Sequence, residues 1–318
     1  MIKRPLGKTG IKVSEVAFGG VEIGIPYGIG VKKAADMLSE TNAIKLLHDA
    51  ADSGINFFDT ARMYGNSEKI MGRAFKNRRD EVVICTKCRH LRDGSGNIPE
   101  YSKLKEMIET SLKESLEALQ TDHIEIFMLH QADMGILENE EISTIFSNLK
   151  KEGRCRATGV STYSPEETKK AVEVGMWEVI QVPFNLMDQR QAAFFPLASK
   201  KGVAIMIRSV LLKGLLSDRG KGLHPALKEV EKHIMCYNEL LEEPACNLAT
   251  LATKFALSIP EVSTILVGID RPEYLYKSLE AANGIYLNNI KLARAKELSY
   301  PDPEFLNLPY WDKMNWLR

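Results

Sequence analysis

Four residues of complementary chemistry stand at or just beyond the ends of three successive apolar runs: Asp59, Tyr64, Lys87 and His130. The runs are 55–58, 82–85 and 124–129, rich in the β-branched and aromatic residues that favour strands. Asp59 ends the first, with Tyr64 just beyond it; Lys87 ends the second and His130 the third. An acid, a phenol, an ammonium and an imidazole at adjacent strand ends can converge on one point. An unperturbed phenol titrates near pH ~10, and a nearby ammonium favours its ionised form. The expectation is that Lys87 lowers the pKa of Tyr64, Asp59 holds Lys87, and His130 orients a substrate oxygen. Such a set delivers a proton to a carbonyl oxygen as a hydride reaches the carbon. No side chain supplies a hydride, so a cofactor must.

Taken singly, these residues have ordinary readings. An Asp after a strand is usually a turn or cap, a lone His a satisfied structural group, and a lone Lys solvated. The chemical reading comes from four complementary groups on three successive strands. Cys85 and Cys88 match C-x-x-C, but Cys85 lies inside a β-like run, and no second Cys or His pair with zinc spacing follows. Strand packing is the expectation for both, and no metal site is expected.

The elements that must position the four groups alternate almost throughout the chain. The segment 6–13 reads as a β-hairpin around a Gly-bounded turn. Strand-like runs follow at 16–20, 55–59, 82–87, 123–129, 156–161, 179–182, 203–207 and 264–267. Helical segments are expected at about 41–53 with Thr41 as cap, 66–77 with cap signals at Asn66 and Ser67, 102–119 opening at Ser102, and 139–151. Others are expected after Ser164 with Pro165 first, at about 189–201, within 225–258 and after Pro272. The region 21–40 reads as a long irregular loop, and 286–318 as one more helix and a tail. Eight βα units in one domain of this length fit a closed (β/α)8 TIM barrel, with the N-terminal hairpin and the C-terminal helix added to it. A doubly wound open sheet is the competitor, but no Gly-rich turn opens a helix directly after the first strand.

A TIM barrel places its site at the C-terminal strand ends, where Asp59, Lys87, His130, Ser161, Gln181, Arg208 and Gly268 all fall. The 318 residues are 44% hydrophobic and 26% charged, as in an ordinary globular protein. Lys+Arg and Asp+Glu are both 42, which gives no support for nucleic-acid or membrane-surface binding. No apolar run approaches the ~20 residues of a membrane span. The start lacks the apolar stretch of a signal peptide, and an odd cysteine count fits reduced thiols, so a cytoplasmic protein is expected.

The stretch Gly54-Ile-Asn-Phe-Phe-Asp-Thr-Ala61, followed by Tyr64-Gly-Asn-Ser-Glu68, resembles the signature of the aldo-keto reductase superfamily. Thr86-Lys87, Leu129-His130 and Gly159-Val160-Ser161 recur in the same order, and the opening Arg4–Gly10 looks like that family's hairpin at the barrel bottom. The resemblance spans nearly the whole chain. It implies a barrel that binds NAD(P)(H) in an extended pose, with Asp59, Tyr64, Lys87 and His130 as the catalytic tetrad and Tyr64 as proton donor. It also implies cofactor contacts at Gly20 and Asp59, at Ser161, Thr162 and Gln181 for the carboxamide, at Arg208, Ser209, Leu211 and Gly214, and at Gly268, Asp270, Tyr274, Lys277 and Ser278.

Two positions depart from that pattern. Thr162 stands where many relatives have Asn, and Arg208 where many have an aromatic that stacks on the nicotinamide. A guanidinium can also stack on a ring; a surface ion pair is the ordinary alternative for Arg208. Asp270 can bond a ribose 2′-hydroxyl and repel a phosphate, whereas Arg271 or Lys277 can pair with one. The balance leans to NAD(H) or dual use. The loops 21–40, 89–102, 131–138 and 213–225 mix apolar residues (Ile25, Tyr27, Met134, Leu215) with charged ones (Arg89, Arg92, Asp133, Lys213), which suits a polar carbonyl or sugar-like substrate. Trp311 and Trp316 are expected to pack on the barrel. Two other classes stay open: a nucleotide-binding regulatory or sensor subunit with little turnover, and a redox isomerase or lyase that retains its NAD. The oligomeric state is not legible.

Overall fold

The computed structural model describes residues 1–243 and 245–317. Two short strands, β1 (Lys3–Pro5) and β2 (Lys12–Ser14), pair antiparallel as the hairpin. Eight strands then follow: β3 (Val16–Gly19), β4 (Phe57–Asp59), β5 (Val83–Lys87), β6 (Ile124–Leu129), β7 (Cys155–Ser161), β8 (Val179–Pro183), β9 (Ala204–Arg208) and β10 (Val262–Gly268). They run parallel in sequence order, and β10 pairs with β3, which closes the barrel.

The helices include α1 (Val21–Gly24), α2 (Glu40–Asp52), α3 (Ser67–Phe75), α4 (Tyr101–Leu119), α5 (Met134–Glu138), α6 (Glu140–Lys151) and α7 (Pro165–Val174). After these come α8 (Phe195–Lys201), α9 (Lys228–Cys236), α10 (Leu248–Leu257), α11 (Pro272–Ala281), α12 (Asn289–Glu297) and α13 (Leu308–Lys313). Among the described residues no helix is long and apolar enough to cross a membrane.

Period-two alternation splits the apolar residues into two bodies. Val16, Phe18, Phe58, Ile84, Phe127, Val160, Ile180, Ile205, Ile207 and Ile265 point outward, where the helices cover them. Ala17, Phe57, Cys85, Ile126, Met128, Ala157, Val179, Ala204 and Met206 point inward and fill the barrel with Leu6, Ile11 and Val13 of the hairpin. The hairpin docks by a close backbone approach. Gly7 lies at φ +54°, and a Cβ there would stand 2.5 Å from the Gly202 carbonyl oxygen; Lys8 N donates to that same oxygen at 2.9 Å. Arg4 reinforces it by reaching Glu15 at 3.1 Å and the carbonyls of Leu257 and Val262 at 3.0 Å each.

Several boundaries differ from expectation because side chains found other partners. Ser39, not Thr41, caps α2 by accepting from Asn42 N at 3.3 Å. Helix α4 starts at Tyr101, and Ser102 bonds Glu100 instead of capping. Asn66 makes no cap bond; Ser67 accepts from Thr60, and Glu68 is buried, accepting from Thr86, Ser115 and Arg62. The 21–40 region carries α1 and a single 3-10 turn at Ala34–Asp36. The 189–201 segment is a 3-10 turn, Arg190–Phe194, that runs into α8. Cys85 and Cys88 are buried free thiols. Trp311 is fully buried, while Trp316 is half-buried, tilted against Phe305 and stacked near His224.

Candidate active site

The inward register of each strand, continued two residues beyond its core member, arrives at the candidate site. Ala17 leads to Gly19, Phe57 to Asp59, Cys85 to Lys87, Met128 to His130, Val179 to Gln181 and Met206 to Arg208. Ala157 leads through Gly159 to Ser161, and Leu266 to Gly268. Thr162 has the opposite parity. Its side chain turns away from the barrel axis, and its hydroxyl bonds Thr168 of α7 at 2.6 Å.

Lys87 and Asp59 form a buried ion pair at the centre. Lys87 Nζ donates to both carboxylate oxygens of Asp59 at 2.7 Å and to the Thr60 carbonyl at 3.0 Å. Gln181 Nε2 donates to Asp59 Oδ1 at 3.1 Å. Burial works against the Lys87 ammonium, but Asp59 and Tyr64 outweigh it and hold its pKa above the ordinary value. Asp59 therefore anchors Lys87 as expected. The Lys87 ammonium lies 5.0 Å from the centre of the Tyr64 ring.

The expected lowering of Tyr64 does not survive burial. Burial pushes the phenol up, Lys87 pulls it down, Asp59 pushes it up again, and the net direction is upward. Asp59 opposes the field of Lys87. Tyr64 is thus held as a neutral phenol, able to give a proton. His130 meets Tyr64 edge-on, with ring centres 5.3 Å apart. Burial, followed by Lys87, His90 and Arg208, pushes His130 down to about 3, so it stays a neutral imidazole. Its buried Nδ1 has no hydrogen-bond partner among the described residues.

The segments expected to meet a nucleotide flank this centre. Gly20 N donates to the Asp59 carbonyl at 2.8 Å, and a Cβ at Gly20 would meet Met71, Asp59 and Ser67 within 2.8 Å, so packing itself demands glycine there. Ser161 and Gln181 are buried at their strand ends. The Arg208 guanidinium lies 4.3 Å from the ring centre of Tyr163 and donates to the Thr162 carbonyl at 3.1 Å; it makes no ion pair among the described residues. Ser209 accepts from Arg208 at 3.4 Å. The 209–214 loop is strained, with positive φ at Ser209, Leu212, Lys213 and Gly214, and such strain gathers at functional sites. Within it Leu211 O accepts from Gly214 N at 2.8 Å.

Beyond β10, Asp270 lies 3.6 Å from Arg219, and Tyr274 accepts from Arg219 at 3.0 Å. Lys277 is exposed near the Tyr274 ring, whereas the Ser278 hydroxyl is bound to the Tyr274 carbonyl at 2.7 Å. Among the loop residues read as substrate-facing, Arg92 and Asp133 grip each other at 2.7 Å and Arg89 pairs with Glu114. Lys213 bonds Asp312 at 3.0 Å and covers the Tyr27 ring.

Sequence reasoning missed Glu22, His90, Tyr163 and Arg219. Glu22, His90 and Tyr163 lie a few residues past β3, β5 and β7, and Arg219 farther along the segment after β9, all in segments read only as loop. The His90 ring stands 5.1 Å from that of His130. Arg219 lies in the segment after β9 yet reaches Asp270 and Tyr274 after β10. A missed signal was the acid at Glu22, two residues after a glycine pair at the end of a strand.

With this geometry in hand, comparison with known proteins is informative. The profile of the Aldo/keto reductase family matches residues 15–299. YqkF of Bacillus subtilis, described as an uncharacterized oxidoreductase, is 29% identical over 298 residues, 89% of this chain and 92% of its own. L-galactose dehydrogenase of Arabidopsis thaliana is 29% identical over 295 residues, 87% of each chain. The holo structure of aldo-keto reductase AKR11C1 from Bacillus halodurans superposes with a TM-score of 0.78 at 27% identity, covering 94% of this chain and 96% of that one. A closed parallel barrel with its hairpin, an Asp59–Lys87 pair beside Tyr64 and His130, and a profile match along nearly its whole length place this oxidoreductase chain in the aldo/keto reductase family.

Proposed function

We propose that the protein interconverts a carbonyl and an alcohol with NAD(P)(H), Tyr64 giving the proton in the direction of reduction. The carrying observation is the half-buried phenol of Tyr64, set against the Lys87 ammonium of the Lys87–Asp59 pair and edge-on to His130, with its pKa pushed up by burial. The nicotinamide nucleotide, when bound, supplies and accepts the hydride. The chain's residues suit it: on one side of the tetrad the strand ends at Gly19 and Gly268 carry no side chain of their own, and on the other the Arg208 guanidinium makes no ion pair among the described residues. Ser161 and Gln181, buried at their strand ends, would meet the carboxamide. Thr162 would contribute main chain only, since its hydroxyl is engaged by Thr168.

The roles then follow from the geometry. His130, neutral, donates a hydrogen bond that fixes the substrate oxygen near the Tyr64 hydroxyl. The Tyr64 proton passes to that oxygen as negative charge develops on it. Lys87 stabilises the phenolate left behind, and Asp59 and Gln181 keep Lys87 in place. Asp270 beside Arg219 favours a ribose hydroxyl over a phosphate, which leans the reading to NAD(H) or dual use. L-galactose dehydrogenase among the relatives suits a sugar-like or small polar carbonyl substrate. Two measurements test this: NADH and NADPH titrations by fluorescence quenching, then a carbonyl and sugar panel with the tighter nucleotide. Tyr64→Phe is expected to lower turnover by at least ~100-fold with nucleotide affinity unchanged. Full activity in that variant removes Tyr64 as the acid.

A further inference from the structure

Glu22 is an acid at the barrel mouth that the tetrad chemistry does not use. It sits in α1, directly after β3, and its carboxylate lies over the ends of β3 and β10. A Cβ on Gly268 would stand 2.2 Å from Glu22 Oε1, and one on Gly19 would stand 3.7 Å from Oε2. Glycine at 268 is what leaves room for it there, since the contact at Gly19 is an ordinary one. Oε2 is shielded from solvent and has no hydrogen-bond partner among the described residues. Carboxylates face it from two other elements, Asp59 at the end of β4 and Asp270 after β10, with Arg219 as the facing cation and Tyr27 beside it from its own loop. Together with Tyr27, Asp36, Asp270 and Arg271 it lines a cleft of about 90 Å³ between the loop after β3 and the start of α11.

These surroundings coincide with nucleotide contacts proposed above: Asp59, Gly268 and Asp270 all lie around the Glu22 carboxyl. A nicotinamide nucleotide brings an anionic pyrophosphate and ribose hydroxyls. An ionised Glu22 would add a third carboxylate to Asp59 and Asp270 and repel it. A protonated Glu22 removes that charge and offers an O–H to an acceptor on the nucleotide, while its second oxygen can accept from a ribose hydroxyl.

We propose that Glu22 is a nucleotide-contact residue that binds in its protonated form, so that nucleotide uptake carries a proton with it. This rests on the reading of the barrel mouth as the nicotinamide-nucleotide site. Burial, with Asp270 and Asp59 adding to it, already raises Glu22 to about 8 in the free protein. The competent fraction therefore falls from most molecules at neutral pH to a minority at pH ~9, and the apparent dissociation constant rises by the inverse of that fraction.

The test is direct binding of NADH to the full chain, followed by fluorescence from pH 6 to 9. Wild type is expected to weaken about tenfold between pH ~7 and ~9, and Glu22→Gln, a neutral mimic of the acid, to bind with little pH dependence. A second measurement needs no variant. Calorimetry at pH ~8.5 in buffers of different ionisation enthalpy should show uptake of most of one proton per nucleotide. A flat wild-type profile, an unchanged slope in Glu22→Gln, or no proton uptake overturns the proposal. Absence of nucleotide binding by wild type at any pH overturns the site reading itself, and this inference with it.

Discussion

Lys87 has no ammonium donor to spare: two reach Asp59 and the third reaches the Thr60 carbonyl. It therefore acts on Tyr64 through its field and position, not through a hydrogen bond of its own. Removing it leaves Asp59 as an unpaired buried carboxylate, and breaking a buried pair costs about 3–5 kcal/mol. Lys87→Met is expected to lose turnover and that much stability in chemical denaturation. The double variant Asp59→Asn/Lys87→Met should be more stable than Lys87→Met alone, since no unpaired charge remains; an equal or larger loss would contradict the pair's role. At this scale the four catalytic candidates were legible because residue type and strand-end position both show in sequence. The direction of the Tyr64 shift was not, because neighbouring charges can be named from sequence but desolvation cannot. The Thr162–Thr168 bond was not legible for another reason. One step of strand parity decides whether a side chain sees the barrel mouth or a helix, and the family position alone does not carry that step.

The elements earn their places by local bonds that fix where each strand stops. Helix α7 is the clearest case. Ser164 accepts from Glu167 N at 3.1 Å, and the Glu167 carboxylate accepts from the N–H groups of Tyr163 and Ser164, a capping box directly after β7. Pro165 at the first helical position completes it. This box pins the Ser161–Tyr163 segment and holds Thr168 against Thr162. Ser164→Ala is expected to cost about 1 kcal/mol, seen as a drop of a few degrees in thermal melting; no shift would mean the cap contributes nothing. The start of α7 was legible because capping box and proline agree. The start of α2 was not, because Ser39 and Thr41 are both competent caps and only the chain path chooses between them. The 21–40 segment was read as mere loop, and α1 with Glu22 was lost inside it, because one helical turn has no periodicity to detect.

For the molecule as a whole, eight alternating units were legible by count, and the closed barrel follows from them once each strand has two parallel neighbours. What the count left out was how the two ends differ. The lower end is stoppered by the hairpin, with Leu6 and Val13 fully buried among the inward side chains. Leu6→Ala should cost about 2–5 kcal/mol in denaturant unfolding while leaving nucleotide affinity unchanged, because the plug and the site lie at opposite ends. A loss of affinity without a loss of stability would refute that separation. The stopper has a consequence for the protons. Among the described residues, apolar side chains, the Cys85, Met128 and Met206 sulfurs and the Thr264 hydroxyl, bound to the Ser14 carbonyl at 2.8 Å, pack below Asp59 and Lys87, so the phenol of Tyr64 reaches solvent from above. On the proposed reading, nucleotide and substrate covering the mouth would make the phenol a reservoir holding a single proton, refilled only after the product leaves.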